Sequence, residues 1–143
     1  MTRKEFVLAS MATCCGHTYT PVQLQKLLFL LDKRAPQETG GPHFDFQPYH
    51  YGPFDKAVYD ELNALEADGL VEIMNDSDLE VRKYRLLPEG ASLGEEALGK
   101  LDEPTKEFVH KLSEFVRHAS FPQLVSAVYE AYPEMRANSV FKG

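Results

Sequence analysis

Histidine, aspartate and cysteine are the residues of this sequence whose chemistry could support catalysis or metal binding. The five histidines are His17, His43, His50, His110 and His118. No pair of them forms a metalloprotease-like HExxH pattern. Asp45 and His50 share one aromatic segment and could act as an acid–base pair if the fold brings them together. His50 could equally make a structural loop hydrogen bond. We expect no metal site and keep an enzyme built around His50 and Asp45 as an alternative.

The two cysteines and the glycine pair offer no further chemistry. Cys14 and Cys15 are adjacent, and adjacent side chains on a helix diverge by about 100°. They are therefore unsuited to a shared metal ion or to an unstrained disulfide, and we interpret them as small residues in a reducing compartment. Gly40-Gly41-Pro42 follows no predicted strand and precedes no predicted helix, so it is not a phosphate-binding loop. The sequence predicts no catalytic residue and no cofactor.

Composition narrows the class of protein. The chain has 143 residues, of which 43% are hydrophobic and 26% are charged, values typical of one compact domain. No apolar run approaches the ~20 residues of a membrane helix, and the first residues lack the features of a signal peptide. We therefore expect a cytoplasmic protein with no membrane association. The net charge of −7 disfavours nucleic acid as a partner, because affinity for phosphates rests on Lys and Arg.

Three segments carry the signature of a helix start. Thr2 with Glu5, Thr20 with Gln23, and Ser120 with Gln123 each form a capping box, in which the first side chain accepts from the third backbone N–H of the helix. The helix after Thr20 is apolar over most of its circumference, which predicts a central position in the core. Residues 35–42 are rich in proline and glycine and are predicted to form a loop.

Residues 44–54, hereafter the aromatic corner, contain five aromatic side chains. Pro48, Gly52 and Pro53 prevent a continuous central strand here. We predict a short extended entry, a turn, and then a helix over residues 55–68 that ends before Gly69, a residue suited to the left-handed cap position. Aromatic side chains bury large areas, so the corner is expected to pack against the central helix.

The remainder of the chain predicts one hairpin and more helices. Residues 70–74 and 81–87 read as two strands with a turn at 75–78, followed by helices over about 88–101, 104–118 and 120–132. The predicted fold class is α+β and mostly helical, with a winged-helix-like core of three helices plus a hairpin wing. We expect a single domain over 1–143, with the core at about 1–100, a C-terminal helical extension at about 104–132 and a tail at 133–143.

Residues 62–73 together with 84–90 resemble winged-helix regulators of the MarR and PadR kind, in which a helix ends at Asp/Glu-Gly-Leu and a wing ends in Tyr-x-Leu. This resemblance implies a dimeric transcription regulator as an alternative function. The residues that could then contact DNA are Lys26, Lys33, Arg82, Lys83 and Arg85. However, the predicted helix at 55–68 has five acidic residues and one lysine, and a helix of that charge is repelled by phosphates.

A second resemblance covers residues 22 to about 70. The helix segment Leu24-Gln25-Lys26-Leu27-Leu28-Phe29, the tripeptide Tyr51-Gly52-Pro53 and the pair Val58-Tyr59 are similar to the Panacea (SocA-like) antitoxin domain. Members of that family neutralise diverse toxins by direct binding, and some are proteolytic adaptors or occur in phage-related genes. The resemblance implies a non-catalytic, protein-binding domain with an antitoxin-like or defence-related role.

The matching residues are expected to serve mainly the fold. They are Leu24, Gln25, Lys26, Leu27, Leu28, Tyr51, Gly52, Pro53, Val58 and Tyr59. The partner surface is expected elsewhere, on the exposed helix face and the apolar tail. Its predicted members are Asp60, Asn63, Glu66, Tyr132, Met135 and Phe141. An apolar tail is unfavourable in water, so we expect it to dock on this domain or on a second copy, which leaves a homodimer open.

Overall fold

The structure is a computed structural model that describes residues 1–14, 16–76 and 81–142. It has the α+β, mostly helical composition that the sequence predicts. The elements, in chain order, are α1 (Arg3–Ala12), α2 (Pro21–Arg34), α3 (Pro36–Thr39), β1 (Gln47–Tyr49), β2 (Gly52–Phe54), α4 (Lys56–Ala67), β3 (Val71–Asp76), β4 (Val81–Leu86), α5 (Pro88–Leu98), α6 (Glu103–His118), α7 (Phe121–Ala131) and a 3₁₀ turn (Pro133–Arg136).

All three predicted capping boxes are present. At α1, the Glu5 N–H donates to Thr2 Oγ1 at 3.1 Å, and the Thr2 N–H donates to Glu5 Oε1 at 3.0 Å. The same reciprocal pair begins α2 at Thr20 and α7 at Ser120. Each box satisfies two backbone donors that the first helical turn leaves without partners. Local sequence therefore fixes where these helices begin.

The helices are short. The longest, α6, has 16 residues, below the ~20 that a membrane span needs. Within residues 1–14, 16–76 and 81–142, no helix is both long and apolar enough to cross a membrane.

Two hairpins are present where the sequence predicts one. Strands β3 and β4 pair antiparallel from Val71↔Leu86 onward, as expected; of the predicted turn at 75–78, residues 77 and 78 lie outside the described part of the chain. In the aromatic corner, β1 and β2 also pair antiparallel, with Pro48 opposite Pro53. A two-stranded sheet consists only of edge strands, where proline is tolerated, so the prolines shorten these strands without abolishing them.

The loop predicted over residues 35–42 contains one helical turn. Pro36 begins α3, where a proline lacks only an N–H that would be unsatisfied anyway. The turn ends at Gly40, whose φ of 74° lies in the left-handed region. Gly69, predicted as the cap after α4, has a φ of 75° and confirms that prediction.

Helix α2 lies between two groups of buried side chains. Leu24, Leu27 and Leu28 belong to a large core that also includes side chains of α1, α4, β3, β4 and α6. Phe29 and Leu30 face a smaller core shared with α7 and the 3₁₀ turn. This burial on two sides confirms the predicted central position of the helix.

Helix α5 packs closely because of its glycines. A Cβ on Gly94 would lie 2.5 Å from the Leu8 carbonyl oxygen of α1, and a Cβ on Gly90 would lie 2.0 Å from the Leu70 carbonyl oxygen. No side chain fits at either distance, so these contacts require glycine.

Candidate functional site

The aromatic corner is held to α2 by the side chain of Gln25. Its Nε2 donates to the Asp55 carbonyl oxygen at 3.0 Å, and its Oε1 accepts from the Asp55 N–H at 3.0 Å. The Asp55 side chain in turn caps α4 by accepting from the Ala57 N–H at 2.9 Å. Gln25 is buried, and a buried amide whose donor and acceptor are both used fixes the register of the two segments.

Asp32 holds the entry to the corner. Its carboxylate accepts from the backbone N–H groups of His43 and Phe44, both at 2.9 Å. Burial raises the pKa of Asp32, and the two backbone hydrogen bonds oppose that shift. Helix α2 thus anchors the corner at both ends, through Asp32 near its C-terminus and Gln25 near its N-terminus.

Lys26 lies beneath the turn between β1 and β2. Its side chain is only 2% exposed, and its Nζ donates to the Tyr51 carbonyl oxygen at 2.6 Å. Burial disfavours the charged form and lowers the pKa of Lys26 from 10.5 to about 8. An ammonium group has three N–H donors. Among the described residues, only the Tyr51 carbonyl accepts from it.

Gly52 lets the chain pass over this lysine. Its φ is 109°, a conformation that a residue with a side chain rarely adopts. A Cβ there would lie 3.6 Å from Lys26 Nζ and 3.5 Å from Cε1 of Tyr129. The glycine is therefore required mainly by its backbone conformation.

A cavity of about 220 Å³ opens beside Lys26. It lies between the N-terminal half of α2 and the turn of the β1–β2 hairpin. Its lining consists of Val22, Gln25, Lys26, residues 49–54 and Tyr59. The walls are mostly aromatic, and Lys26 supplies the cation. An open, mainly apolar cavity with few polar groups is the general form of a binding site.

An exposed apolar surface surrounds this cavity. We call this surface the outer aromatic face, and its members are Tyr49, Tyr51, Phe121 and Val140. Its members come from the hairpin, the start of α7 and the tail. The Tyr51 and Phe121 rings lie edge to face with centroids 5.2 Å apart, and the Val140 N–H donates to the His50 carbonyl oxygen at 2.9 Å. In the described part of the chain, these four account for most of the large hydrophobic side chains that are exposed.

The tail docks on this domain, one of the two outcomes that the sequence allows. Asn138 Nδ2 donates to the Pro48 carbonyl oxygen at 3.1 Å, and the Phe141 ring lies 6.1 Å from Phe121 and 6.3 Å from Tyr129. The Tyr129 hydroxyl is buried and has no hydrogen-bond partner within the described residues. The tail therefore packs against the hairpin and α7 beside the cavity, through backbone and ring contacts.

The residues that carried the family resemblance either line this cavity or lie in the core. Leu24, Leu27, Leu28 and Val58 are buried in the core, and Gly52 and Pro53 are buried at the turn. A profile described as "Antitoxin SocA-like, Panacea domain" matches residues 24–133. The chain belongs to this family. The match extends well past the segment that the sequence motifs cover, into α7. A search of curated proteins finds no match to the chain.

Within the Panacea domain, the residues predicted as a partner surface divide into two groups. Asp60, Asn63 and Glu66 are exposed on α4. Tyr132 and Phe141 are half-buried, and Met135 is buried in the smaller core. Met135 thus contributes to folding and is not accessible to a partner in this conformation, because the tail covers α7 and the hairpin.

The residues predicted for DNA contact are not equally available. Lys26 is buried, and Arg85 pairs with Glu72 on the neighbouring strand. Lys33 and Arg82 are exposed, and Lys83 is half-buried. The five do not present one row of free cations, because burial and pairing occupy two of them.

The structure does not bring Asp45 and His50 together. His50 lines the cavity beside Lys26, whereas Asp45 lines a different one with Phe29, Asp32 and Lys33. The Asp45 carboxylate accepts from Gln47 Nε2 at 3.0 Å, and the His50 ring stacks on Tyr49. The concave pocket holding both groups, which the enzyme alternative requires, is not formed by these cavities.

Sequence reasoning placed Lys26 both among the fold residues of the family motif and among the possible DNA contacts, and it did not single out Phe121 or Tyr129. The position of Lys26 within an apolar helix, with leucines on both sides, is the signal that predicts burial. Phe121 gave no comparable signal, because only the fold brings the start of α7 against Tyr51. Cys14, His110 and Glu114, whose possible ligand atoms lie within 4.8 Å of one another, are not among the residues that line the cavity.

Proposed function

We propose that this Panacea domain is a non-catalytic, cytoplasmic antitoxin that binds a protein toxin through the outer aromatic face and its cavity. The observation that carries the proposal is the convergence of exposed aromatic side chains around a cavity built from the family's own motif. Interface centres are enriched in tyrosine and phenylalanine, and such anchors supply most of the binding energy in protein complexes.

The size of the cavity favours a protein side chain over a cofactor. At about 220 Å³ it is smaller than the roughly 300–1,000 Å³ of small-molecule sites. Tyr49, Phe54 and Tyr59 form a continuous aromatic wall, with ring centroids 5.1 and 5.7 Å apart. An apolar side chain of the toxin would bury its surface against this wall.

Lys26 gives the cavity its polar specificity. Two of its N–H donors remain for an incoming acceptor, and burial makes an unmet donor costly. A carbonyl or carboxylate oxygen of the toxin entering beside Tyr51 would accept from Nζ. A carboxylate would also return the pKa of Lys26 toward its usual range, because an opposite charge favours the ammonium form.

The acidic face of α4 would act at longer range. Asp60 and Glu66 are exposed there, and the chain carries a net charge of −7. Charge of one sign attracts a partner of the other and raises the rate of encounter. We therefore propose a toxin with a basic surface, whose complex forms more slowly as salt increases.

The test begins with affinity capture by the wild-type domain and by the double variant Tyr51→Ala, Phe121→Ala. The expected result is one stoichiometric protein that the double variant loses, with an affinity at least about 30-fold weaker, since a central anchor contributes about 2 kcal/mol or more. That protein, expressed alone, is expected to arrest growth, and co-expression of the wild-type domain is expected to restore it.

Leu93→Ala and Phe115→Ala are the matched controls. Both residues are large, hydrophobic and exposed, on α5 and α6, and neither belongs to the outer aromatic face. They should retain the partner and the rescue of growth. Retention by the double variant, or capture of no stoichiometric protein, would contradict the proposal.

A dimeric winged-helix regulator is the second candidate. It is supported by Tyr19, whose backbone pairs with Tyr84 of β4 through hydrogen bonds of 2.9 and 2.8 Å, an isolated antiparallel bridge beside the hairpin. Of the predicted DNA contacts, Lys33 and Arg82 are exposed and Lys83 is half-buried. Anisotropy with the chain's own upstream DNA tests it: binding that weakens steeply over ~50–200 mM salt supports it, and no binding removes it.

A further inference from the structure

Three metal-binding side chains from distant parts of the chain meet on the side of α6 that faces α1. Cys14 follows α1, and His110 and Glu114 lie four residues apart on α6, a spacing that places both on one helix face. One ligand atom from each lies within 4.8 Å of the other two. Cys14 Sγ donates to Glu114 Oε1 at 3.2 Å.

The donor set suits zinc. A thiolate, an imidazole and a carboxylate are its usual ligands, with Zn–S near ~2.3 Å and Zn–N near ~2.0 Å. These lengths place tetrahedral ligand atoms roughly 3.3–3.7 Å apart, so atoms that lie within 4.8 Å of one another need to approach by about 1.5 Å at most. Sulfur and nitrogen ligands disfavour magnesium and calcium, which prefer oxygen.

The surroundings orient the ligands and leave an approach for the ion. Cys14 is buried, while His110 is exposed and the Glu114 side chain is 40% exposed, so one side of the group opens to solvent. Ser113 Oγ donates to Cys14 Sγ at 3.4 Å. A ring nitrogen of His110 lies 3.3 Å from the Thr13 carbonyl oxygen. Such outer contacts fix ligand orientation in metal sites.

Two neighbouring basic side chains contact Glu114. Its Oε2 lies 2.9 Å from His118 Nε2, and its Oε1 lies 3.5 Å from a guanidinium nitrogen of Arg117. The Arg117 contact is long, so an ion can replace it at Oε1 while His118 keeps Oε2 in place.

We propose that Cys14, His110 and Glu114 bind one Zn²⁺ ion. The Cys14 thiol releases its proton to solvent as the Zn–S bond forms, and the fourth position is taken by water. The ion ties the end of α1 to the middle of α6, which stabilises the folded chain because the unfolded chain does not present the three ligands together. The site differs from the sequence-based expectation of no metal site, which overlooked the spacing of His110 and Glu114.

Metal-free protein titrated with zinc sulfate, and separately with cobalt chloride, tests the proposal. The expected results are one ion per chain, a higher melting temperature with zinc, and a near-ultraviolet thiolate-to-cobalt band. Cys14→Ser should lose the band. His110→Ala, which changes an exposed residue and leaves the core intact, should bind zinc about tenfold more weakly or worse and lose the zinc-dependent rise in melting temperature.

Cys15→Ser and His50→Ala are the controls, since they remove the neighbouring thiol and a histidine of the aromatic corner. Both should keep the band and the one-to-one stoichiometry. Loss of the band in Cys15→Ser with retention in Cys14→Ser would overturn the assignment. So would zinc binding by His110→Ala equal to that of the wild type, or no zinc binding by the wild type.

Discussion

Helix α5 and the aromatic corner are packed in opposite ways. At α5, Gly90 and Gly94 bring backbones so close that a Cβ would overlap carbonyl oxygens of Leu70 and Leu8. Beside the aromatic corner, the buried Lys26 of α2 and the buried Tyr129 hydroxyl of α7 keep unused hydrogen-bonding capacity among the described residues, and aromatic rings of the corner remain exposed. The packing at α5 leaves no room for a further group, whereas the region of the aromatic corner retains hydrogen-bonding groups that a partner could satisfy.

The difference distinguishes residues that serve folding from residues that we propose serve binding. Close packing gains dispersion and apolar burial and leaves no surface to offer. A buried donor without an acceptor reduces stability, so such groups concentrate where function requires them. This contrast, together with the family match, directs the proposed toxin contact to the corner.

Gly90→Ala should have the largest effect on stability. Its Cβ would lie 2.0 Å from the Leu70 carbonyl oxygen, so the backbone of α5 or of the residue before β3 must move. We expect the free energy of unfolding to fall by about 3 kcal/mol or more, measured by urea denaturation. Gly99→Ala is the control, because a Cβ there meets only its own helix at 3.3 Å or more. Equal losses in the two variants would show that close packing at α5 is not the cause.

The variant Lys26→Met tests whether the lysine beneath the aromatic corner is held in an apolar environment, through the pH dependence of stability. The unfolded lysine has a pKa of 10.5 and the folded one about 8, so the unfolded chain binds more protons between these values. The stability of the wild type should therefore rise relative to Lys26→Met from pH 8 to pH 10.5, by about 3 kcal/mol.

Urea denaturation of both proteins at pH 7 and pH 10.5 measures this difference. Other groups that titrate in this window, such as Tyr59 with its raised pKa, affect both proteins and cancel. A difference that stays constant with pH would mean that Lys26 is not held in an apolar environment.

Phe141→Ala should have a smaller effect on the free energy of unfolding. Phe141 is half-buried against Phe121 and Tyr129, so we expect a loss of about 1–2 kcal/mol, below the ~3–5 kcal/mol of a fully buried phenylalanine. Proteolysis should cleave the tail of this variant faster than that of the wild type. Phe115→Ala, an exposed phenylalanine elsewhere, should leave the tail protected; an unchanged cleavage rate in Phe141→Ala would mean that its ring does not hold the tail.

Removal of a capping side chain should lower the stability of the protein by the same amount at α1 and at α7. Thr2→Ala at α1 and Ser120→Ala at α7 each remove one side-chain cap, at a cost of about 1 kcal/mol. Thermal unfolding of both variants measures it. Losses that differ by more than about 1 kcal/mol would show that one of these caps depends on tertiary contacts.

Features that depend on a few consecutive residues were predictable. The capping boxes, the left-handed Gly69 and the β3–β4 hairpin all follow from local chemistry, and the motif Leu24–Phe29 with Tyr51-Gly52-Pro53 led to the family. The β1–β2 hairpin was missed because prolines mark a break in a strand, and only its position at an edge makes them acceptable. The docking of the tail was left open, because an apolar segment has no sequence signal for its receptor.

The sequence by itself determined the helix starts, the mostly helical α+β class, the net negative charge and the family. Tertiary structure decided that Lys26 is buried, that Asp45 and His50 face different cavities, and that Phe121 meets Tyr51. It also placed Cys14 beside His110 and Glu114. The reason is physical: caps and turns use hydrogen bonds within a few residues, whereas burial and convergence depend on segments that only packing brings together.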